Sequence, residues 1–339
     1  MNETQFIKRP GERAPWLELR RPYVGQSEAG IVLGLSPFRS ACDLFLEKTG
    51  RVTREDTPTE AMLLGIELEG YAARRYMEKT GRTVRNYGYM VVRGHALADV
   101  DRLIVPDGEK VASHHEEIRA AGILECKTAR DEWDGEVPLH YQVQAQGYCE
   151  LLDLPFCDFS VVFKNSSTHR CPADPGWEFL RVERDRAIGA RIMEKIEEFA
   201  ACVAADTPPP VTGLADARAL FPNARVDAPV TATAEIVKAV DRLRAIAAQT
   251  KELEAEEDAL KGTVAEFMGD ADTLRLPEAD GGAKLCTFKA PKPSLATNWK
   301  AVSAACKGVP AFDEAVAANT KPREAARRFL LCAEKGDAK

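Results

Sequence analysis

Apolar positions change their period along this chain, and that change separates helices from strands. From Glu60 to Thr80, Met62, Leu63, Ile66, Tyr71, Ala72 and Tyr76 recur at helical spacing, and Gly81 supplies a stop. Upstream, Ser27 reads as an N-cap with Glu28 in the first turn and Ala29, Ile31, Val32 and Leu33 leading to Gly34. A further short helix spans Ser40 to Lys48 before Gly50. Val84 to Val92, Ala96 to Val105 and Gly122 to Thr128 then read as strands, Tyr141 to Leu151 as a helix, Cys157 to Phe163 as a strand, and Arg184 to Ala204 as a helix. Three helices, three strands, a helix and a strand in that order predict an α/β core, a central mixed sheet flanked by helices.

Pro208-Pro209-Pro210 closes this region, because successive prolines cannot continue a helix and they stiffen a linker. The expected organisation is a catalytic-type domain over 1–212, a linker over 213–229, and a mainly helical, coiled-coil-like accessory region over 230–339. Between Thr233 and Met268, Ile236, Val240, Leu243, Ala247, Leu253, Leu260, Val264 and Phe267 fall near heptad spacing among many glutamates, which predicts a helical hairpin arm or short coiled coil. Thr273 to Leu276 and Lys284 to Lys289 suggest a small hairpin, and Trp299, Phe312 and Phe329 a minor core.

Composition narrows the class. With 339 residues, 45% hydrophobic and 29% charged, the chain suits one large globular domain or two smaller ones. No apolar run reaches the length of a membrane span and Met1 to Pro10 lacks a signal-peptide pattern, so the expected location is cytoplasmic, with no membrane partner. Nine cysteines without a Cys-x-x-Cys pair point to reduced thiols rather than a disulfide framework or zinc site. The net charge of -7 argues against a protein that coats nucleic acid, but leaves room for an enzyme acting on it. Arg20, Arg21, Lys48, Arg74 and Arg75 bias the first ninety residues towards positive charge. No Gly-x-x-x-x-Gly-Lys loop is present, which speaks against ATP use.

The chemistry concentrates in two predicted strands. The first carries Asp99-Val100-Asp101 and the second carries Glu125-Cys126-Lys127. Side chains alternate along a strand, so Glu125 and Lys127 share one face while Leu124 and Cys126 enter the opposite layer. Two carboxylates and an ammonium brought together are what metal-dependent phosphodiester hydrolysis needs, since carboxylate oxygens suit a hard cation and a lysine can orient a water. Asp99 and Asp101 are both candidates, being two residues apart. On the helix that follows, Gln142, Gln144 and Gln146 stand between Tyr141 and Tyr148, an unusual choice for a solvent face.

An ordered set of motifs gives these residues a context: Gly25-Gln26-Ser27, Gly65-x-x-x-Glu69, Asp101-Arg102-Leu103, Leu124-Glu125-Cys126-Lys127 and Tyr141-x-x-Gln144-x-Gln146. Over about residues 15 to 212 the chain resembles the YqaJ-type viral recombinases, relatives of the lambda-type alkaline exonuclease in the PD-(D/E)xK superfamily. The resemblance implies a restriction-endonuclease-like core with a helical C-terminal extension. It implies Glu69, Asp101 and Glu125 as ligands of one or two Mg²⁺ or Mn²⁺ ions, the Cys126 carbonyl as a further ligand, Lys127 as the catalytic lysine and Gln144 as the helix glutamine of the active centre. Ser27, with Arg20 or Arg21, would hold a terminal 5′-phosphate. Tyr141 and Gln146 are further candidates, and the motif spacing selects Asp101 over Asp99 and Glu69 over Glu67. The activity implied is 5′→3′ digestion of linear double-stranded DNA ends to leave 3′ overhangs for strand annealing. The implied partners are a single-strand annealing protein of the RecT type and a homo-oligomeric ring, in a bacterial cell carrying phage or prophage genes. The competing readings are a DNA-end-binding scaffold with a decayed site and an endonuclease of the same superfamily. The long spacer Pro106 to Ala121 departs from the pattern, and is expected to form an enlarged hairpin or loop.

Overall fold

A computed structural model describes residues 3–53, 59–165, 176–223, 229–280, 282–289 and 299–320. The chain divides into two compact units, Met1–Pro222 and Asn223–Lys339. In chain order the first contains β1 (Thr4–Lys8), α1 (Arg13–Arg20), β2 (Val24–Gly25), α2 (Gln26–Val32), α3 (Ala41–Lys48), α4 (Glu60–Thr80), β3 (Val84–Arg85), β4 (Tyr89–Arg93), β5 (Ala96–Ala98) and β6 (Arg102–Ile104). There follow β7 (Ser113–His114), β8 (Glu117–Ile118), β9 (Gly122–Asp131), α5 (Leu139–Leu152), β10 (Phe156–Asn165), β11 (Gly176–Glu183), α6 (Arg186–Ala204) and α7 (Leu214–Leu220).

Two sheets organise this unit. The five-stranded sheet runs β11-β10-β9-β6-β3, and the four-stranded sheet runs β1-β4-β5-β2. β9 is central in the first: it pairs parallel with β10, placing Glu125 opposite Phe159, and antiparallel with β6, placing Leu124 opposite Arg102. The core is therefore mixed α/β, with helices on the sheet faces and a mainly helical second unit. Ile123, Phe159, Val161, Val143 and Tyr148 belong to the main apolar core, whereas Leu124, Ile104, Tyr76 and Phe156 form a smaller cluster that Cys126 joins. Alternation along β9 thus divides its side chains between two layers, as the sequence predicts.

The fold separates what the apolar pattern joins. The single strands expected over Val84 to Val92 and Ala96 to Val105 are each broken, so that β3 and β6 lie in one sheet and β4 and β5 in the other. The second break falls at Asp99-Val100-Asp101. Val100 is buried there, so the apolar rhythm continues through a change of sheet. The N-terminal β1 pairs with β4, giving an element order that begins with a strand rather than with helices. The insert before β9 forms a small hairpin, β7 and β8, turned at His115 with φ 51°.

Helix α4 forms where its periodicity places it. Thr59 Oγ1 accepts from the Met62 amide at 3.3 Å, and Gly81 ends the helix in the left-handed conformation at φ 70°. Its C-terminal half buries Ala72, Ala73 and Tyr76. The small alanines let the helix sit close to β10: Ser160 Oγ donates to the Ala72 carbonyl at 2.8 Å, and the Tyr76 hydroxyl donates to Asp158 at 2.5 Å. Arg181 of β11 completes this anchor with two hydrogen bonds to Asp158 at 2.7 and 2.9 Å. Helix α7 occupies part of the stretch expected to be linker, where buried Asp216 accepts from the Thr212 amide and hydroxyl.

The second unit contains α8 (Ala234–Met268), β12 (Thr273–Arg275), β13 (Lys284–Thr287), α9 (Trp299–Ala305) and α10 (Pro310–Asn319). The helical arm is one uninterrupted helix of 35 residues, capped by Thr233, and it contains no hairpin turn. β12 and β13 pair antiparallel, as the turn-rich segment suggests. Trp299 is 72% exposed and so does not seed a minor core; Phe329 lies outside the described residues.

Candidate active site

The candidate site lies where β6, β9, α4 and α5 meet. Glu125 points from β9 towards α5, and its buried carboxylate receives two donors on one oxygen: Lys127 Nζ at 2.7 Å and Gln144 Nε2 at 2.7 Å, both to Oε1. Its other oxygen, Oε2, is buried with no hydrogen-bond partner. Asp101, just before β6, accepts from the Cys126 amide at 2.9 Å through Oδ2. β6 and β9 thereby bring the aspartate and the Glu-x-Lys pair together from positions 24 residues apart.

Electrostatics tie the members to one another. Burial first, then repulsion from Glu125, pushes the Asp101 carboxyl up to about 8, against the pull of Lys127 and the Cys126 amide. Burial alone would lower the Lys127 ammonium, but Glu125 and Asp101 outweigh it and hold the lysine protonated. The Cys126 thiol is raised by burial and then by Asp101 and Glu125, so it stays protonated. Lys127 also lies 5.0 Å from the centre of the Tyr141 ring, a cation–π contact.

Glu69 reaches this cluster from α4, but its carboxylate is held by Arg102 at 2.5 Å. Glu67 is exposed, so helical phase favours Glu69 as the acid facing the sheet. Gln146 does not join: its Nε2 donates to the Glu183 carbonyl and its Oε1 accepts from the Asp185 amide, each at 2.7 Å. It locks α5 to the start of α6. Asp99 also points elsewhere, accepting from Trp16 Nε1 at 2.7 Å and pairing with Arg9 and Arg20. Asp99 and Asp101 accordingly do not share a face, because the chain changes sheets between them.

At the start of α2 the N-cap is Gly25 rather than Ser27, and its amide donates to the Glu28 carboxylate at 2.9 Å. Ser27 occupies the first turn and is exposed. Arg20 packs directly against this turn: a Cβ built on Gly25 would lie 2.4 Å from Arg20 Nη2 and 3.6 Å from Ser27 Oγ. Arg21 is turned away towards Glu18 and Gly50. A cavity of about 630 Å³ opens beside Arg20, lined also by Arg13, Arg21, Lys48 and Glu28.

Tyr148 and Arg102 also contribute to the site, beyond the residues that the motifs mark. Gln144 Nε2 donates to the Tyr148 hydroxyl at 3.0 Å, and that hydroxyl donates to the Asp99 carbonyl at 3.0 Å. The interval of four residues between Gln144 and Tyr148 on one helix is the signal that identifies it.

As for a metal, Glu125 Oε2 is an orphaned buried acceptor, and Asp101 is a second carboxylate destabilised by it. An oxygen donor set of this kind fits a hard divalent cation. Among the described residues no three such side chains are already gathered as a metal-ligating group, and Glu69 would have to leave Arg102 to become the third.

The site is thus built on a central strand carrying Glu-x-Lys, paired with a strand that follows an aspartate. Residues 15–151 match the family described as YqaJ-like viral recombinase domain. The uncharacterised protein YqaJ of Bacillus subtilis (strain 168) is 36% identical over 148 residues, covering 41% of this chain and 42% of the relative. The chain thus spans less than half the length of that curated relative. Among solved structures, an alkaline exonuclease from Laribacter hongkongensis is similar at 23% identity, over 57% of this chain and 94% of that one, with a TM-score of 0.44. A phage related exonuclease from Haemophilus somnus 129PT is similar at 13% identity, over 54% and 96%, with a TM-score of 0.39. Among the described residues no helix is long and apolar enough to cross a membrane.

Proposed function

We propose that the chain is a metal-dependent deoxyribonuclease that digests linear double-stranded DNA 5′→3′ and leaves 3′ single-stranded overhangs for recombination by strand annealing. The observation that carries this reading is Glu125, one oxygen held by Lys127 and Gln144 and the other buried without a partner beside Asp101. Glu125, Asp101 and, after release from Arg102, Glu69 would hold Mg²⁺ or Mn²⁺, with the Cys126 carbonyl a further candidate. The ion, when bound, supplies Lewis-acid polarisation of the scissile phosphate and a water of lowered pKa. Lys127, protonated and fixed at Glu125, orients that water and offsets charge developing on the phosphoryl oxygens. Gln144 keeps Glu125 in the rotamer that leaves Oε2 without a protein partner. Ser27 and Arg20 bind the terminal 5′-phosphate at the start of α2, and Arg21 contributes charge only at longer range.

The expected location is the cytoplasm of a bacterial cell. In this reading α8, with Ile236, Leu243, Leu253 and Leu260 exposed along its length, is the element that meets a RecT-type annealing protein. A ring of several copies around the duplex would make digestion processive. Incubation with Mg²⁺ and linear duplex, alongside closed circles, tests the central reading. Nucleotide release from linear ends alone is expected. Release that survives Lys127→Ala, or none from the wild type, would sink it; equal cutting of circles would turn it towards an endonuclease.

A further inference from the structure

Asp99, the carboxylate the sequence left as an alternative metal ligand, sits at a junction of its own. Its side chain is 8% exposed and meets three residues from the N-terminal segment: Arg9, Arg20 at 3.6 Å, and the Trp16 indole N–H at 2.7 Å. Trp16 in turn stacks on Arg20, whose guanidinium carbon is 4.4 Å from the ring centre. On its far side Arg20 lies against Gly25, where a Cβ would fall 2.4 Å from Nη2 and 3.6 Å from Ser27 Oγ. Arg20 is therefore gripped from two directions and aimed at the first turn of α2. One carboxylate between two guanidiniums leaves a net positive charge, so the grip does not cancel attraction for a phosphate. The backbone of the same residue receives the Tyr148 hydroxyl, which is joined through Gln144 to Glu125. Side chain and carbonyl of one residue thus connect the cation against Gly25 with the carboxylate cluster.

We infer that Asp99 is a positioning residue that fixes Arg20, at a set spacing from Glu125, and so makes the enzyme select duplex ends bearing a 5′-phosphate. The inference rests on the reading of Ser27 and Arg20 as the terminal-phosphate site. It is tested with the full chain and Mg²⁺ on linear duplexes bearing 5′-phosphate or 5′-hydroxyl ends. Asp99→Asn keeps an oxygen for Trp16 but removes the charge that aligns Arg20. The ratio of kcat/KM for phosphate over hydroxyl ends is expected to fall about tenfold or more, with hydroxyl ends changed less than about twofold. Combined with Arg20→Met, Asp99→Asn should add nothing to the loss of preference caused by Arg20→Met alone, because the two act as one unit. Trp16→Phe, which keeps the stack and loses the hydrogen bond, should lower the ratio to a smaller degree, and it carries the test if the Asp99 variant does not fold. An unchanged ratio, or an equal fall on both kinds of end, overturns the assignment. A wild-type enzyme indifferent to the 5′-phosphate fails at the earlier step, the phosphate site itself.

Discussion

Lys127 and Glu125 leave the same face of β9 two residues apart, and the ammonium of one donates to the carboxylate of the other at 2.7 Å. The pair is self-neutralising on one oxygen only. Lys127→Ala is expected to lower nuclease turnover by about 10²- to 10⁴-fold, the range for loss of a positioned proton-handling group. It also strips Glu125 of a buried partner, so a modest fall in melting temperature should accompany the loss. Nucleotide release from linear duplex and a thermal melt of the same preparation check both effects.

Gln144 acts one step back from the chemistry. Its amide divides its donors between Glu125 and Tyr148, so Gln144→Leu should free Glu125 to change rotamer without removing any charge. Loss of such outer support costs about 10- to 100-fold in metal affinity or activity. A titration of activity against Mg²⁺ is expected to show a raised half-saturating concentration. Tyr148→Phe, which leaves Gln144 in place, should show a smaller shift of the same sign.

Asp101 links the site to pH. In the metal-free protein its carboxyl is raised from an ordinary 3.8 to about 8, by burial and then by Glu125. A group whose folded value lies above its unfolded value stabilises the fold at low pH, and that contribution is lost as pH rises through the folded value. In a chelator, the melting temperature of the wild type should therefore decline between about pH 4 and pH 8 more steeply than that of Asp101→Asn. Mg²⁺ should restore more stability at pH 8 than at pH 5, because binding requires the deprotonated carboxylate. Equal pH slopes for the two proteins would refute the coupling.

How far these features could be read in advance follows from the residues themselves. The stretch from Gly122 to Thr128 is apolar but for Glu125 and Lys127 on one face, so β9 and its Glu-x-Lys are legible at once. Helix α4 is equally plain, being bounded by Thr59 and Gly81. The break at Asp99 to Asp101 is hidden because buried Val100 preserves the strand rhythm while the chain passes between sheets. That passage separates the two aspartates, and no alternation rule applied to one strand can show it. β1 is five residues with little alternation, and α1 carries Pro15 in its first turn, where a proline is tolerated but reads as a breaker. The glutamines of α5 illustrate a further limit: Gln144 and Gln146 look alike in sequence, yet one meets a carboxylate and the other closes a backbone gap.

The buried Asp158 offers a test of the scaffold apart from the chemistry. It is fully buried and receives Arg181 through two bonds and Tyr76 through a third, tying α4 to β10 and β11. Removing this carboxylate costs about 1–3 kcal/mol, since the buried Tyr76 hydroxyl loses its acceptor while Arg181, a third exposed, keeps Glu183 at 3.8 Å. Asp158→Ala is expected to lower stability on that scale, and Tyr76→Phe by about 1 kcal/mol, the loss of one hydrogen bond. Denaturant unfolding of the three proteins measures this directly.

Gly147 supplies the sharpest steric test, because α2 crosses α5 there. A Cβ at this position would fall 1.7 Å from the Gln26 side-chain oxygen, and Gln26 is itself buried in the crossing. Gly147→Ala must therefore displace either the Gln26 amide or the helix, with an overpacking cost of about 1–3 kcal/mol. The displacement matters beyond stability, since Gln26 precedes Ser27 on α2 while Gln144 lies one turn before Gly147 on α5. If the crossing sets the distance between the proposed phosphate-binding turn and Glu125, the alanine variant should lose turnover on phosphorylated ends even at temperatures where it is fully folded. A shortened alanine at the facing position, Gln26→Ala, removes the clash, so the double variant should recover part of the stability lost by Gly147→Ala alone. A thermal melt and a rate on phosphorylated duplex for the four proteins decide it, and a double variant no more stable than Gly147→Ala would refute the packing argument.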